Sequence, residues 1–386
     1  MNDKKNRAWI EVNLDNLIHN YRQVKEKEKD KEIICVIKAD AYGHGAVAVA
    51  SALSEAGATY FAVATAEEAL QLRRHGIKEE ILLLGTASPS MIKELTQENI
   101  ILTVSSERIA NTYAQILQED DSKARVHLKV NSGMDRQGIS LEEAVEQVLR
   151  ISKLAALMIE GIYTHLAAAD DPEEDEFTKA QYENTLRVVQ TIRNLGLPIP
   201  LFHIANSAGI ISHPYMRGNM VRPGIMLYGS NPRLDTGIDL KPTLSLHTKV
   251  SNLLKVKKGE TVGYGRTWTA KRESVIAVLS IGYADGLMRC LSGRLPVLVN
   301  GQLGKQVGRI CMDMCMIDVT DVSDLMIGDT ATIIGIQSDK EITADDLAKL
   351  GNTISYEIFC AIGKRVPRIY LKENKDCLET CYIDLL

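Results

Sequence analysis

Eight short apolar runs alternate with helical segments between residues 33 and 228 of the chain. The runs are rich in β-branched residues and lie at 33–38, 60–64, 81–84, 100–104, 126–130, 159–164, 202–205 and 220–228. The segments between them show the apolar spacing of helices, at 46–56, 66–75, 90–97, 107–118, 141–154, 176–195 and just after Ser207. This alternation predicts a closed, parallel (β/α)8 barrel. A doubly wound sheet is the competing fold, but no Gly-x-Gly-x-x-Gly turn follows the first run.

The composition changes after Tyr228. The stretch GSNPRLDTGIDLKP at 229–242 is dense in Gly, Pro, Asn and Asp, which is typical of a linker. Short β-branched runs follow at 244–250, 274–279, 295–299, 306–309, 315–319 and 330–335, interrupted by a helical pair near 345–350 and 355–362. A further strand is predicted at 8–12, before a helix that begins near Leu14. The sequence therefore predicts a barrel domain at 12–235 and a mostly-β domain at 236–386, joined by an N-terminal strand from residues 1–11.

Charge and cysteine usage exclude several classes of protein. The net charge is -5, with 50 acidic against 45 basic residues, so no basic footprint for nucleic acid is present. No apolar run approaches the ~18 residues that span a bilayer, and no apolar signal core follows the charged N-terminus, so we expect a cytoplasmic protein. Seven scattered cysteines predict reduced thiols. Two Cys-x3-Cys pairs, Cys311/Cys315 and Cys377/Cys381, have neither the usual zinc spacing nor a nearby His, so no metal site is predicted.

Lys38 ends the first apolar run, EIICVIK. A lysine at the end of a buried strand has a lowered pKa and is placed to form a Schiff base, although the same residue could also extend its ammonium into solvent. In a barrel, the active site lies where the strands end. Those positions bring together a lysine, two arginines, a histidine and a tyrosine. The full set is Lys38, Tyr42, Asn131, Met134, Arg136, His165, Asn206, Ser207, Arg222 and Gly224. Packing alone does not explain this collection.

Ser207 and Gly224 follow the seventh and eighth runs, where barrels often bind a phosphate. Ser207 could also be a simple helix N-cap. A phosphate site and a Schiff-base lysine on one barrel face together suggest pyridoxal 5'-phosphate (PLP). Arg222 is the candidate partner of the pyridine nitrogen; because an arginine keeps its proton, the ring would be a weak electron sink, which favours proton exchange at Cα over decarboxylation or transamination. The alternative role for Arg222 is a structural ion pair.

Eight motifs, in order over nearly the whole chain, resemble those of bacterial alanine racemases, PLP-dependent enzymes of fold type III. They are VIKADAYGHG (36–45), HLKVNSGMDRQG (127–138), YTHLAAAD (163–170), HIANSAG (203–209), VRPGIMLYG (221–229), GYGRTW (263–268), SIGYADG (280–286) and GRICMDMCMIDV (308–319). The lysine motif alone is already specific.

The resemblance implies a two-base reaction. Lys38 would carry PLP as an internal aldimine and act on one face of the substrate, and Tyr264 would act on the other. Tyr264 would come from the partner subunit, which implies a homodimer with shared sites. A tyrosine with a pKa of about 10 is a poor base at neutral pH, so His165, and beyond it Arg222, would stabilise its phenolate.

The remaining roles also follow from the resemblance. Cofactor contacts would come from Tyr42, Arg136, His165, Asn206, Ser207, Arg222, Gly224, Ile225 and Tyr356. Arg136, Met312 and Asp313 would contact the substrate, and Lys129 matches a lysine that is carbamylated in several members. The corridor that admits substrate would be lined by Asp170, Tyr283, Arg289, Ile354 and Tyr356, with interdomain packing as the alternative for Tyr283 and Ile354.

The implied activity is interconversion of L- and D-alanine, supplying D-alanine for peptidoglycan. Tyr356 is bulky where related serine-type racemases carry a smaller polar residue, which favours alanine. Two rivals differ in testable features. A non-catalytic PLP-holding protein would resemble the barrel alone, without the β domain and Tyr264. A PLP-dependent decarboxylase would place a carboxylate where this chain has Arg222.

Overall fold

The computed structural model of the protein describes residues 6–216, 218–232, 237–373 and 375–380. These residues fall into two compact units, one within Ile18–Ala41 and Ala46–Leu240, and the other within Met1–Leu17, Tyr42–Gly45 and Lys241–Leu386. The predicted domain boundary between 235 and 236 lies outside the described residues, as does Cys381. The domain limits 12–235 and 236–386 therefore stay a prediction.

The first unit is a closed barrel of eight parallel strands, as predicted. The strands are Glu32–Val36, Tyr60–Val63, Glu80–Leu83, Ile100–Val104, Ala124–Asn131, Leu157–Tyr163, Leu201–His203 and Met220–Val221. Each pairs with its neighbours in chain order, and Met220–Val221 pairs with Glu32–Val36 to close the ring. Side chains such as Ile34, Ile101 and Leu128 are completely buried, because the strands of such a barrel are covered on both faces. Burial on both faces explains why the strands read as nearly continuous apolar runs.

Helices separate the barrel strands, at Leu14–Lys27, Ala46–Glu55, Ala66–Arg74, Ile92–Gln97, Glu107–Gln118, Leu141–Ile151, Asp175–Asn194 and Ser207–Ser212. Glu107–Gln118 shows how the sequence specifies them. Its N-cap Ser106 accepts a hydrogen bond from the backbone N–H of Ile109 at 3.2 Å. Ala110, Tyr113, Ala114 and Leu117 are buried at helical spacing, so one face of the helix packs inward and the rest meets water.

Two strand assignments at the site were too long. The first strand ends at Val36 rather than at 38, and the eighth ends at Val221 rather than at 228, with a 3-10 turn at Ile225–Tyr228. The backbone N–H of Val36 donates to the carbonyl of Pro223, and proline has no N–H with which to extend the ladder in return. Lys38 is therefore not the last residue of a strand, as the sequence analysis assumed, but follows it.

The second unit is mostly β, as predicted. Its main sheet contains Ala8–Asn13, Leu244–Val256, Ser274–Leu279, Pro296–Val299, Gln302–Val307, Cys315–Asp318, Thr330–Gln337, Lys340–Ile342, Arg368–Lys372 and Lys375–Thr380. Six of these strands close into a ring, in which Leu246 lies opposite Ile334. The N-terminal strand Ala8–Asn13 pairs antiparallel with Leu244–Val256 and parallel with Arg368–Lys372. Helices Ala344–Gly351 and Ser355–Ala361 complete the unit.

Four elements of this unit were not predicted: the short hairpin Thr261–Val262 with Trp268–Thr269, and the last three strands of the sheet. These segments are short or strongly charged, so they lack the alternation that identifies a half-buried strand. Among the helices of the described residues, none has the length and apolar character needed to cross a membrane.

Candidate active site

Lys38 opens a tight turn of left-handed backbone. The four residues that follow it, Ala39, Asp40, Ala41 and Tyr42, all have φ of 53° or 54°. For residues other than glycine this conformation costs about 1–2 kcal/mol each. Within the barrel unit, the N–H of Ala41 donates to the carbonyl of Ile37 at 2.9 Å, and the N–H of Ala46 donates to Oδ1 of Asp40 at 2.8 Å. The lysine is only partly buried, and this strained turn fixes where its side chain starts.

Arg222 is 3% exposed and lies at the end of the eighth strand. Its Nη1 donates to Nδ1 of His203 at 2.7 Å, and its Nη2 donates to the carbonyls of Thr164 at 2.7 Å and Ile204 at 3.1 Å. Nη2 also lies 3.4 Å from Nδ1 of His165. No carboxylate in the described part of the chain pairs with it, so the alternative of a structural ion pair is wrong. Burial lowers the pKa of Arg222 to about 10, and the guanidinium stays charged at neutral pH.

A chain of buried hydrogen bonds leads away from Arg222 into the barrel. Nε2 of His203 lies 2.8 Å from Nδ1 of His127, and Nε2 of His127 lies 3.5 Å from the hydroxyl of Tyr60. Burial lowers the pKa of His127 to about 3 and that of His203 well below its usual value. Both imidazoles are therefore neutral at physiological pH.

Because both imidazole rings are neutral and an arginine lies at one end, the direction of every hydrogen bond in this row of side chains is determined. Arginine only donates, so Nδ1 of His203 accepts and its Nε2 carries the hydrogen. Nδ1 of His127 must then accept from His203, and its own Nε2 donates to Tyr60. The ring of Tyr163 stacks on His203, with centroids 4.8 Å apart and an interplanar angle of 6°. The histidines thus hold the guanidinium of Arg222 in one orientation.

Gly161 leaves space for the ring of His127 in this row of hydrogen-bonded side chains. A Cβ at this position would lie 2.9–3.0 Å from three atoms of the His127 ring. We expect Gly161→Ala to lower the free energy of unfolding by about 1–3 kcal/mol, because an added methyl overpacks a filled core. Urea unfolding measures the change. Gly351→Ala is the control, since its Cβ would come no closer than 3.4 Å to a neighbour. Equal stability of the two variants would contradict the packing argument.

Ser207 and Gly224 meet at the ends of the seventh and eighth strands. Oγ of Ser207 accepts from the N–H of Gly224 at 2.9 Å and from that of Met226 at 3.4 Å. The alternative interpretation of Ser207 as the helix N-cap is wrong. Asn206 is the cap, because its Oδ1 accepts from the N–H of Gly209 at 2.9 Å.

Two donors that belong to buried residues at this end of the barrel lack acceptors among the described residues. The hydrogen bonds of Arg222 all use Nη1 and Nη2 and leave its Nε–H without one. The backbone N–H of Ile225, which is 1% exposed, likewise donates to no described residue. Buried donors are normally satisfied. An anionic group and an aromatic nitrogen, both of which PLP possesses, fit these donors.

Lys129 and Arg136 lie at and after the end of the fifth strand. The Nζ of Lys129 lies 5.6 Å from the ring centroid of Tyr163 and 3.5 Å from Oε1 of Gln137. Burial, followed by the charges of Arg136, Arg222 and Lys38, lowers the pKa of Lys129 to about 8. Arg136 is exposed and donates no hydrogen bond to a described residue.

His165 and Asp170 follow the sixth strand. Burial and the same cluster of cations hold the pKa of His165 well below its usual value, so its ring is neutral. Asp170, predicted to line the corridor, is exposed and makes no hydrogen bond to another predicted site residue in the described chain.

The β unit carries the other predicted residues, mostly on its surface. The exposed fractions of Tyr264, Tyr283, Met312 and Ile354 are 72%, 42%, 53% and 60%. Tyr283 and Met312 belong to two joined loops, because the N–H of Tyr283 donates to the carbonyl of Cys311 and that of Ala284 to the carbonyl of Met312, both at 2.9 Å. Only glycine at 282 permits this approach, since a Cβ there would lie 2.3 Å from the carbonyl oxygen of Met312.

Ion pairs further hold the same loops. Nη2 of Arg365 lies 2.8 Å from Oδ1 of Asp313, and Nε of Arg365 lies 3.0 Å from the fully buried carboxylate of Asp285. Asp285 also pairs with Arg7 at 2.5 Å. Asp313 is thereby fixed beside Met312.

Tyr42 and Tyr356 lie together in the β unit, with ring centroids 5.7 Å apart. Tyr42 is 5% exposed, and burial raises the pKa of its phenol. Arg289 is exposed, and no hydrogen bond within the described residues links it to another predicted site residue.

His127, His203 and Tyr163 were not among the predicted site residues. The strand Ala124–Asn131 has polar side chains at 127 and 129, two residues apart and both buried. Side chains two apart in a strand share a face, so this spacing could have identified His127. No group of three or more His, Cys, Asp or Glu side chains in the described chain could hold a metal ion.

Comparison with known proteins identifies the family. The sequence matches the models of the alanine racemase N-terminal domain over residues 12–232 and C-terminal domain over residues 243–370. Alanine racemase 1 of Clostridium acetobutylicum is 42% identical over 372 residues, which are 95% of this chain and 96% of that one. The alanine racemase structure from Clostridium difficile 630 matches with a TM-score of 0.93 at 37% identity, covering 98% of this chain and 99% of that one. A histidine racemase structure from Leuconostoc mesenteroides matches with a TM-score of 0.87 at 32% identity, covering 96% and 99%. The chain therefore belongs to the alanine racemase family.

Proposed function

We propose that this protein is a PLP-dependent racemase that interconverts L- and D-alanine by proton exchange at Cα between two bases. The observation that carries the proposal is the buried Arg222, whose Nη atoms are bound by protein acceptors while its Nε–H is not. An arginine in this position distinguishes a racemase from enzymes that place a carboxylate at the pyridine nitrogen.

Residues at the end of the barrel would hold the cofactor. Lys38 would bind it covalently, and Arg222 would donate to its ring nitrogen. The phosphate would accept from the hydroxyl of Ser207 and the N–H of Ile225, and Tyr42, Asn206, Gly224 and Tyr356 are the other proposed cofactor contacts. PLP, when bound, withdraws electrons from the substrate and makes its Cα–H bond acidic. Arg222 cannot surrender its proton, so it keeps the ring nitrogen unprotonated and limits that withdrawal, which disfavours decarboxylation.

Lys38 and Tyr264 would act as the two bases, one on each face of Cα. His165 would assist Tyr264. Its ring is neutral, and Arg222 can only donate to its Nδ1, so its Nε2 carries a hydrogen that would stabilise a phenolate. Tyr264 would be supplied by a second copy of the chain. Tyr283 and Met312 are both exposed and lie on two joined loops, and Tyr264 and Ile354 are exposed as well. Exposed apolar patches mark interfaces, so the joined pair supports a homodimer.

Arg136 would bind the substrate carboxylate, since its guanidinium has no acceptor among the described residues. Met312 and Asp313, fixed by the joined loops, would complete the pocket. Asp170, Tyr283, Arg289, Ile354 and Tyr356 would line the access corridor. The paired rings of Tyr42 and Tyr356 favour a small side chain and therefore alanine over histidine, the substrate named for one structural relative.

We propose that the enzyme acts in the cytoplasm and supplies D-alanine for peptidoglycan. No disulfide joins the six cysteines of the described residues, which supports a reducing compartment.

A coupled assay for D-alanine formation from L-alanine, with PLP present, tests the activity. The same preparation is offered L-histidine and L-serine, and evolved CO2 is measured. We expect alanine turnover in both directions, much slower turnover of the other amino acids, and no CO2. Release of CO2, or PLP binding without exchange of the Cα proton, would refute the racemase assignment.

Lys129 would accept CO2 as a carbamate, a reaction that requires the neutral amine. With a pKa of about 8, the neutral fraction rises from about one tenth at pH 7 to about nine tenths at pH 9. We expect a 13C NMR carbamate signal from 13CO2-treated protein that grows over this interval at constant dissolved CO2, and that is absent from Lys129→Met. A signal of equal size in both proteins would place the carbamate elsewhere.

A further inference from the structure

Glu68 binds the left-handed turn that follows Lys38. Its Oε1 accepts from the backbone N–H of Ala39 at 2.6 Å. Its Oε2 accepts from the N–H of Ala64 at 2.8 Å and from that of Thr65 at 3.2 Å. One carboxylate therefore joins the residue next to Lys38 to the end of the second barrel strand.

A capping box alone does not account for these contacts. Thr65 and Glu68 form a capping box at the start of the helix Ala66–Arg74. In such a box the acidic side chain needs to accept only one hydrogen bond, from the backbone N–H of the cap residue. A second box that begins with threonine, Thr343 with Asp346, shows this ordinary pattern. Asp346 accepts from the N–H of Thr343 at 3.0 Å and from its hydroxyl at 2.7 Å, both within its own cap. The bonds of Glu68 to Ala39 and Ala64 are additional.

These additional bonds act on an unfavourable conformation. Ala39 begins the run of non-glycine residues with positive φ. L-residues disfavour this backbone conformation. The N–H of Ala39 belongs to the peptide plane that links Lys38 to Ala39, so its bond to Glu68 holds that plane at the point where the left-handed run begins. A carboxylate accepts strong hydrogen bonds from several N–H groups at once, so it can hold the turn and the neighbouring strand end together.

We propose that Glu68 is a positioning residue for Lys38, which holds the left-handed turn so that the lysine amine meets the cofactor in a fixed geometry. This inference rests on the proposed attachment of PLP to Lys38. Glu68 itself is not assigned contact with cofactor or substrate. It acts through the backbone of Ala39.

The test measures attachment of PLP to Lys38 directly. Cofactor-free protein is mixed with PLP, the imine absorbance is followed in time, and borohydride reduction followed by peptide mass spectrometry gives the fraction of Lys38 modified. We expect Glu68→Ala to slow attachment on the order of tenfold or more, because small misplacements of reacting groups cost large factors in rate. Thr65→Ala removes the other half of the same box and leaves the Ala39 bond, and Asp346→Ala removes the acid of the second box. Both controls should attach PLP at the rate of the unaltered protein.

A rescue variant separates positioning from loss of stability. Adding Ala39→Gly to Glu68→Ala supplies a residue that accepts positive φ without strain, and should recover part of the lost rate. If Glu68→Ala does not fold, Glu68→Gln, which keeps one acceptor oxygen, is measured in the same way and should show a smaller loss. A Glu68 variant that modifies Lys38 as fast as the two controls overturns the positioning role. Failure of the unaltered protein to attach PLP at Lys38 would instead overturn the proposed function.

Discussion

Lys38→Ala is expected to lower alanine racemisation by at least about 10³-fold in both directions, the scale of a lost base. In the proposed mechanism, the variant would lose the covalent site for PLP and one of the two bases together. Both directions must fall equally, because a catalyst does not alter the equilibrium between the enantiomers. The measurement is the rate of approach to racemic alanine from each enantiomer, by polarimetry or chiral chromatography.

Lys153→Ala is the matched control, since Lys153 is an exposed lysine of the same unit. It should retain full activity and full PLP modification at Lys38. Substantial racemisation by Lys38→Ala, at a cofactor occupancy near that of the unaltered protein, would show that another lysine carries the reaction.

Tyr264→Phe is expected to reduce racemisation about 10²–10⁴-fold, the range for loss of one general base, while leaving part of the proton exchange intact. With one base removed, inversion fails in both directions. Lys38 remains, however, and can still remove a proton from one face of Cα and return one to it. We expect D-alanine to exchange its Cα hydrogen for deuterium without inversion, and L-alanine to exchange very slowly.

Proton NMR in D2O, recorded separately for each enantiomer, follows this exchange. Tyr215→Phe is the control, because Tyr215 is also well exposed, at 58%, but lies in the barrel unit outside the proposed site. Equal exchange from both enantiomers in Tyr264→Phe, or unchanged racemisation, would contradict the assignment of Tyr264 as the second base.

The barrel could be predicted because its strands and helices are specified locally. Residues such as Ile101 and Leu128 are buried on strands covered from both sides, and caps such as Ser106 mark where helices begin. The mostly-β character of the second unit was also predictable, although its short or charged strands were not.

The arrangement within the site depends on contacts that no local pattern records. The left-handed turn after Lys38 uses alanine, aspartate and tyrosine where glycine would be expected, so its sequence gives no signal of positive φ. Glu68 reads as a capping-box residue, and its bond to Ala39 joins positions far apart in the chain. The histidines at 127 and 203 lie on different strands, and only the closed barrel brings them together.

The directed hydrogen bonds between Arg222 and Tyr60 have a consequence for where protons can travel. The hydrogens of this row point from Arg222 toward Tyr60, so a proton could pass only if each moved to the next atom in turn, which would require Arg222 to give one to His203. Arginine keeps its proton at neutral pH, and the low pKa values of His127 and His203 oppose storage of an extra proton on either ring. The row therefore offers no route for protons through the barrel interior, and in the proposed mechanism the protons exchanged at Cα would enter and leave through Lys38 and Tyr264 themselves.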